Sequence, residues 1–127
     1  MAAPHKSPEE LLPLTPAVFH ILLSLASGER HGYAIMAEVG EATGGKIRLG
    51  PGTLYGTIKR LLAAYLIEES ESRPDAEMDD ERRRYYRLTP FGRRVIQAEV
   101  GRYAEMVKVA RGCGLLGPNA STGTASA

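Results

Sequence analysis

The chain has 127 residues, a length that suits one domain with a single apolar core. Sixteen lysines and arginines nearly balance fifteen acids, so the net charge of +1 does not by itself indicate a nucleic-acid partner. One cysteine excludes an internal disulfide, and the three scattered histidines give no metal-ligand spacing, so we expect no cofactor.

Nothing in the sequence predicts contact with a membrane. No apolar run approaches the roughly 20 residues that cross a bilayer, and the first residues lack the basic-then-apolar order of a signal peptide. We therefore expect a soluble protein of the cytoplasm.

Residues 1–43 predict a loose arm followed by two helices. The arm, residues 1–13, contains proline and has no period. Thr15 is a helix cap with Pro16 at the first helical position, and Gly28 ends the segment, so a helix is predicted over residues 16–27. Residues 28–32 form a turn before a second helix over 33–43, which two glycines end.

The second half of the chain predicts a third helix, a hairpin and a long fourth helix. The third begins at Pro51 and carries apolar side chains on one face: Leu54, Ile58, Leu61, Leu62 and Tyr65. Residues 66–72 and 83–88 predict two strands joined by a polar tip over 73–81. Thr89-Pro90 begins a helix that reaches Ala110 or Cys113, and residues 118–127 are expected to be disordered.

Three helices, a hairpin and a final helix, in that order, are the elements of a winged helix-turn-helix domain, a mainly α fold with a small β-hairpin (α+β class). The predicted organisation is a flexible amino-terminal arm (1–13), a winged helix-turn-helix DNA-binding domain (14–89), a carboxy-terminal dimerisation helix (90–116) and a disordered tail (117–127). In such a domain the third helix enters the major groove of duplex DNA.

The third helix has the side chains that this role requires. Residues 46–60 hold four basic residues and no acid. Short polar or basic side chains that we expect to face DNA are Thr53, Thr57, Lys59 and Arg60. Gly50 and Gly52 allow close approach of the backbone to a phosphate at the helix start. Any amphipathic helix also shows polar residues outward, so this helix alone leaves a purely structural interpretation equally open.

An arginine triplet lies where the predicted wing descends from its tip. Arg82, Arg83 and Arg84 are placed to reach phosphates or a narrow minor groove. The alternative is a hydrated run that neutralises the acids at residues 79–81.

The last helix carries two apolar stripes. Phe91, Val95 and Ala98 form one that can cover its own domain. The other lacks an obvious partner, and with Phe19 of the first helix it predicts a homodimer interface made of Phe19, Ile96, Val100, Tyr103, Met106, Val107 and Ala110. The alternative is that this stripe folds back on the first helix of the same chain.

Several short motifs together resemble the PadR family of transcriptional regulators, over about residues 13–116. They are the Arg-His-Gly-Tyr run at 30–33, Gly-Pro-Gly-Thr-Leu-Tyr at 50–55, Lys-Arg-Leu at 59–61, and Arg-Tyr-Tyr-Arg-Leu-Thr at 84–89. A tyrosine, Tyr65, stands where the family pattern has glycine. The resemblance implies a dimeric repressor on a palindromic site in double-stranded DNA, released by a small-molecule effector in some members.

The resemblance also implies which residues lie at or near DNA: Tyr33, Pro51, Thr53, Tyr55, Lys59 and Arg60. The chain departs from the family's drug-binding type because it has no tryptophan for an aromatic sandwich at the dimer seam. An effector pocket lined by Phe19, Tyr103 or Met106 is therefore only a family-based expectation.

The sequence leaves one other function class open and argues against another. A winged-helix module that binds protein instead of DNA would suit the near-zero net charge and the acidic wing tip. An enzyme is not expected, because the serine, histidine and cysteine residues form no suggestive arrangement and no glycine-rich phosphate loop follows a strand.

Overall fold

The computed structural model describes residues 6–70 and 84–117. The helices are α1 (Pro16–Leu25), α2 (Gly32–Ala42), α3 (Pro51–Ala63) and α4 (Pro90–Gly112). The strands are β1 (Arg30–His31), β2 (Ile67–Glu69) and β3 (Tyr85–Leu88), and a short 3-10 helix covers Pro8–Leu11. The order of elements is that of a winged helix-turn-helix, so the predicted fold class is confirmed.

Side-chain caps begin α1 and α4 where the sequence indicated. The Thr15 hydroxyl accepts the Val18 N–H at 3.2 Å, and the Thr89 hydroxyl accepts the Gly92 N–H at 2.9 Å. Each cap is followed by a proline at the first turn, which is pre-set for helical φ. The first helix ends at Leu25, two residues before the predicted boundary, because the chain turns toward Gly28, whose φ is +150°.

The sheet has three antiparallel strands in the order β1-β3-β2, so the predicted hairpin has an additional strand. Arg30 pairs with Tyr86 and His31 with Tyr85 across β1 and β3. The expectation of a turn over residues 28–32 misses this strand, because two residues are too few to show strand alternation. On β3 the side chains alternate: Tyr86 is buried and Tyr85 is half-buried.

One core joins all four helices and the sheet. Its buried side chains are Ile21, Leu22, Leu25, Ile35, Val39, Leu54, Ile58, Leu61, Leu66, Ile67, Tyr86, Leu88, Phe91, Val95 and Ile96. The first turns of α4 are therefore part of the same core as α1, and only its later turns leave it.

The amino-terminal segment is more structured than predicted. Pro8–Leu11 forms a 3-10 helix that packs on α4, and Leu11, Leu12 and Leu14 lie against the core. The expectation of a loose arm is wrong for these residues, because three leucines in four positions supply apolar contacts that the absence of a period did not reveal. Residues 1–5, the wing tip expected at 73–81 and the tail expected at 118–127 lie outside the described residues.

The end of α3 is a Schellman motif with a tyrosine at its left-handed position. The Leu66 N–H donates to the Leu61 carbonyl at 3.0 Å and the Tyr65 N–H to the Leu62 carbonyl at 3.1 Å. Tyr65 has φ +62° and is 40% exposed. The prediction that Tyr65 continues the apolar face of α3 is therefore wrong, because the helix ends at Ala63, two residues earlier.

Candidate nucleic-acid interface

The amino-terminal end of α3 is open to solvent. Pro51, Gly52 and Thr53 form an exposed first turn, and the helix begins at Gly50 without a side-chain cap. No acidic side chain occurs anywhere in Pro51–Ala63. The backbone N–H groups at a helix start carry partial positive charge and suit a phosphate oxygen. This end of α3 can therefore accept a polyanion without repulsion from its own side chains.

The loop that leads into α3 adds two exposed cations that were not among the predicted site residues. Lys46 and Arg48 point outward, whereas Ile47 and Leu49 between and after them pack against the core. Thr43 holds the loop, since its hydroxyl donates to the Val39 carbonyl at 2.9 Å and accepts the Ile47 N–H at 3.0 Å. The alternation of charged and apolar residues in 46–49 was the sequence signal for this arrangement.

Thr57 was predicted to face DNA, and the structure buries it at 2% exposure. Its hydroxyl donates to the Thr53 carbonyl at 2.8 Å and accepts a hydrogen bond from the Arg60 guanidinium at 3.1 Å. The position lies three residues after Leu54 and four before Leu61, so helical spacing puts it beside the buried stripe. Thr57 therefore orients Arg60, which is exposed with Lys59.

Tyr55 is the second site residue that the structure moves inward. Its phenol oxygen is buried, and its ring lies so close to Gly32 that a Cβ atom there would overlap it. Tyr55 therefore packs α3 against the start of α2 and does not offer its hydroxyl to a ligand. Tyr33, next to Gly32, is 43% exposed, as a surface contact requires.

Packing within the described chain does not explain why two positions of α3 are glycine. A Cβ atom built at Gly52 or Gly56 would meet nothing within 4 Å. Glycine inside a helix costs about 0.5–1 kcal/mol relative to alanine. Gly52, Gly56 and Lys59 recur at helical spacing and form one outer strip, and the two glycines leave the backbone of this strip uncovered at their positions. Gly56 was missed by the sequence analysis, although a glycine in the middle of an amphipathic helix was a usable signal.

The base of the wing is charged on both strands. Arg84 lies 3.2 Å from Glu69, and Arg87 lies 2.8 Å from Glu68. All four side chains are roughly half exposed, so each pair contributes well under about 1 kcal/mol and exchanges readily for another anion. Arg82 and Arg83, the other predicted wing contacts, lie outside the described residues.

The carboxy-terminal half of α4 presents an apolar surface that nothing in the described chain covers. Val100 is 44% exposed, Met106 47%, Val107 40% and Val109 64%. The predicted interface residues Tyr103 and Ala110 are partly exposed. Ile96, however, is only 3% exposed and belongs to the core, so its assignment to a subunit interface is wrong. It lies one helical turn before Val100, where α4 still packs on α1.

The Phe19 and Tyr103 rings contact each other within one chain, with centroids 4.9 Å apart. The alternative of a stripe folded back on the first helix therefore holds for Ile96 and Tyr103, whereas Val100 and Val107 remain outside. The effector pocket expected at the dimer seam, lined by Phe19, Tyr103 or Met106, stays a prediction, although two of these rings already contact each other within one chain.

A fully buried carboxylate, Glu99, joins the amino-terminal segment to α4. It accepts the Leu14 N–H at 2.9 Å and two hydrogen bonds from Arg102, at 2.7 and 3.1 Å. Hydrogen bonding from Arg102 lowers the pKa of Glu99 despite its burial, whereas burial raises the pKa of the neighbouring Tyr103. Sequence pattern did not reveal this site, because the sequence alone does not show that residues 8–14 cover position 99.

Residues 6–70 and 84–117 show neither a metal-binding cluster nor a membrane-spanning helix. They contain no group of histidine, cysteine, aspartate or glutamate side chains that could hold a metal ion. In the same residues no helix combines the length and apolar character needed to cross a bilayer.

Comparison with known proteins gives consistent matches. The family model described as the transcriptional regulator PadR-like family matches residues 21–98. The fold is similar to a PadR family transcription regulator from Clostridium difficile, with 26% identity, a TM-score of 0.63, and coverage of 76% of this chain and 96% of that one. A transcriptional regulator from Clostridium thermocellum is similar at 25% identity and a TM-score of 0.59, over 75% of this chain and 86% of that one.

One curated relative is a 37.1 kDa protein in transposon Tn4556 of Streptomyces fradiae. It is 38% identical over 86 residues, which are 68% of this chain. This chain covers only 22% of that relative's length.

Proposed function

This chain belongs to the PadR-like family of transcriptional regulators, and we propose that it regulates transcription by binding duplex DNA as a homodimer in the cytoplasm. The family consists of regulators and not of enzymes, so the prediction of a non-enzymatic transcriptional regulator is confirmed. The observation that carries the proposal for DNA is the outer surface of α3, which is exposed, basic and free of acids.

In the proposed complex α3 lies in the major groove. Lys59 and Arg60 donate to base edges or phosphates, and Thr57 holds the Arg60 guanidinium in place before DNA arrives. The first turn of α3, Pro51 to Thr53, meets a phosphate through its backbone, with Tyr33 nearby on α2. Lys46 and Arg48 approach the neighbouring backbone from the preceding loop.

The wing supplies a second set of contacts. Arg84, together with Arg82 and Arg83, reaches phosphates or the minor groove beside the site read by α3. Arg84 pairs with Glu69 at 3.2 Å on the exposed surface of the sheet, and because such a pair is weak, a DNA phosphate can replace the carboxylate.

A second copy of the chain covers the apolar surface of α4. The helix has 23 residues and is about 34 Å long, and its second half carries the exposed valines and Met106. We assign Val100, Tyr103, Met106, Val107 and Ala110 to this interface, with Phe19 supporting Tyr103 from behind. A closed two-fold dimer presents two α3 helices about one DNA turn, roughly 10 base pairs, apart, which suits a palindromic operator and repression by occlusion.

We extend the proposal to release by a small-molecule effector. A shallow groove of about 220 Å³ lies between α1 and α4 and is lined by Leu23, Ala26, Arg93, Ile96, Gln97 and Val100. Its walls are apolar apart from one guanidinium and one carboxamide, which suits a flat molecule with an acceptor group. A thermal-shift screen of aromatic acids and drug-like compounds tests this part, and a panel with neither a shift nor DNA release would remove it.

The test of the central proposal is fluorescence anisotropy of a DNA fragment from upstream of the protein's own gene, titrated against salt. We expect wild-type binding to weaken steeply with salt, and Lys59→Ala to lower the slope of log K against log salt by about 0.9 if Lys59 neutralises one phosphate. Lys108→Ala removes the same charge from the exposed surface of α4 and should leave both affinity and slope unchanged.

Two other results would point elsewhere. Equal, weak retention of every fragment, with no effect of Lys59→Ala, would favour the alternative winged-helix module that binds a protein partner. A footprint without two-fold symmetry would contradict the dimeric arrangement on DNA.

A further inference from the structure

Three consecutive residues, Arg30 to Gly32, touch both the wing and α3, the two elements from which the proposed complex makes most of its DNA contacts. Arg30 and His31 form β1, which pairs with the wing strand β3. Gly32 begins α2 and contacts α3. The wing and α3 therefore meet at one short piece of backbone.

His31 makes two different contacts at this junction. Its Nδ1 accepts the Ala34 N–H at 3.2 Å and so caps α2. Its ring also meets the edge of the Tyr85 ring on β3, with centroids 5.3 Å apart and an interplanar angle of 86°. Serine, threonine, aspartate and asparagine are the usual helix caps. None of them has a ring that can also pack on Tyr85, so capping alone does not explain a histidine at this position.

Gly32 connects the same junction to α3. The residue is buried, and a Cβ atom there would overlap the Tyr55 ring. The start of α2 and the middle of α3 are therefore in direct contact, with no side chain of residue 32 between them. A displacement at the start of α2 would be passed to α3 through Tyr55.

We propose that His31 is a positioning residue that fixes the wing relative to α3, so that both reach one DNA duplex at the same time. The proposal rests on the proposed DNA-binding function. The cap sets the start of α2, the Tyr85 contact sets the wing strand, and Gly32 with Tyr55 sets α3 from the same point. His31 itself need not touch DNA.

His31→Asn separates the two contacts, because asparagine caps a helix well but has no ring to meet Tyr85. We expect its melting temperature to fall by about 2–6 °C, because the cap remains but the ring contact with Tyr85 is lost. We expect its affinity for the upstream DNA fragment to fall at least about fivefold, and its salt slope to fall by about one, because a wing arginine no longer meets its phosphate.

Thr15→Ala is the matched control. It removes the side-chain cap of α1, which lies outside the junction, so it lowers the melting temperature by about 2–6 °C without changing DNA affinity or salt slope. A binding loss in His31→Asn that exceeds the one in Thr15→Ala, at a similar loss of thermal stability, supports positioning.

The remaining outcomes are distinct. If the wild type binds DNA and His31→Asn binds with the same affinity and slope, His31 is only a cap and the positioning role is overturned. If His31→Asn loses stability and affinity in the same proportion as Thr15→Ala, the effect is general and the role is likewise overturned. If the wild type shows no salt-dependent binding at all, the proposed function fails, and the positioning role fails with it.

Discussion

Replacing Gly56 by alanine should make the protein more stable and a weaker DNA binder. The residue lies in the interior of α3, and an added Cβ would meet nothing within 4 Å, so the methyl group costs no packing strain. The gain is the helix preference of alanine, about 0.5–1 kcal/mol, which raises the melting temperature by about 2–6 °C in a chain of this size.

The effect on binding has the opposite sign because Gly56 lies on the strip with Gly52 and Lys59 that the proposed complex turns toward the groove. A methyl group at that contact would hold the helix away from the bases. Loss of a single base-edge contact costs about 1–3 kcal/mol, so affinity should fall by about tenfold or more.

The measurements are thermal unfolding and anisotropy with the upstream DNA fragment, with Gly101→Ala as the control. Gly101 is also inside a helix with open space around its Cα, but it lies on the exposed side of α4 away from the apolar stripe. It should give the same stabilisation and no change in binding. A Gly56→Ala protein that is stabilised yet binds DNA as tightly as the wild type would refute close approach at this strip.

Three further predictions concern other parts of the chain. Val107→Glu should convert the dimer to a monomer in light scattering at micromolar concentration, because it places a charge in the apolar interface. Lys108→Glu should leave the dimer intact, because Lys108 lies about 100° round the helix from Val107. The free energy of unfolding should fall as pH drops below about 4.3, because the charged carboxylate of Glu99, whose pKa is lowered in the folded state, stabilises the fold and is lost on protonation. In urea titrations Glu99→Gln should reduce this dependence of stability on acid pH. Tyr65→Gly should raise stability by about 1 kcal/mol in the same assay, because glycine adopts φ +62° without strain, and a loss of stability would mean that the tyrosine ring packs usefully.

The elements that sequence predicted well are those with strong local signals. Thr15 and Thr89 each stand before a proline, and this pair of residues fixes the start of a helix with little help from the rest of the chain. The helical pattern of apolar residues in α4 likewise predicted that this helix ends near Cys113. Local steric and hydrogen-bonding rules are sufficient at these points.

The errors arise where a residue's role depends on a neighbour distant in sequence. Ile96 and Val100 look alike in the apolar pattern, but only Ile96 is buried in the core, whereas Val100 stays 44% exposed. From the sequence alone Glu99 would be taken for a solvated acid, but residues 8–14 fold over it and Leu14 donates its N–H to the carboxylate. Tyr55 looks like a surface aromatic until Gly32 leaves room for its ring. Periodicity assigns a face of a helix, but it does not say how far the covering element extends.

The nearly neutral net charge is compatible with DNA binding and shapes how that binding would work. At physiological ionic strength charges are screened beyond about 8 Å, so a phosphate beside α3 responds to Lys59, Arg60 and the loop cations more than to acids elsewhere on the surface. Long-range steering depends on the overall field, which a charge of +1 leaves weak. The proposed regulator would therefore associate slowly with arbitrary DNA and depend on close contacts at its own site. Its preference for that site over other DNA should then be large relative to its absolute affinity.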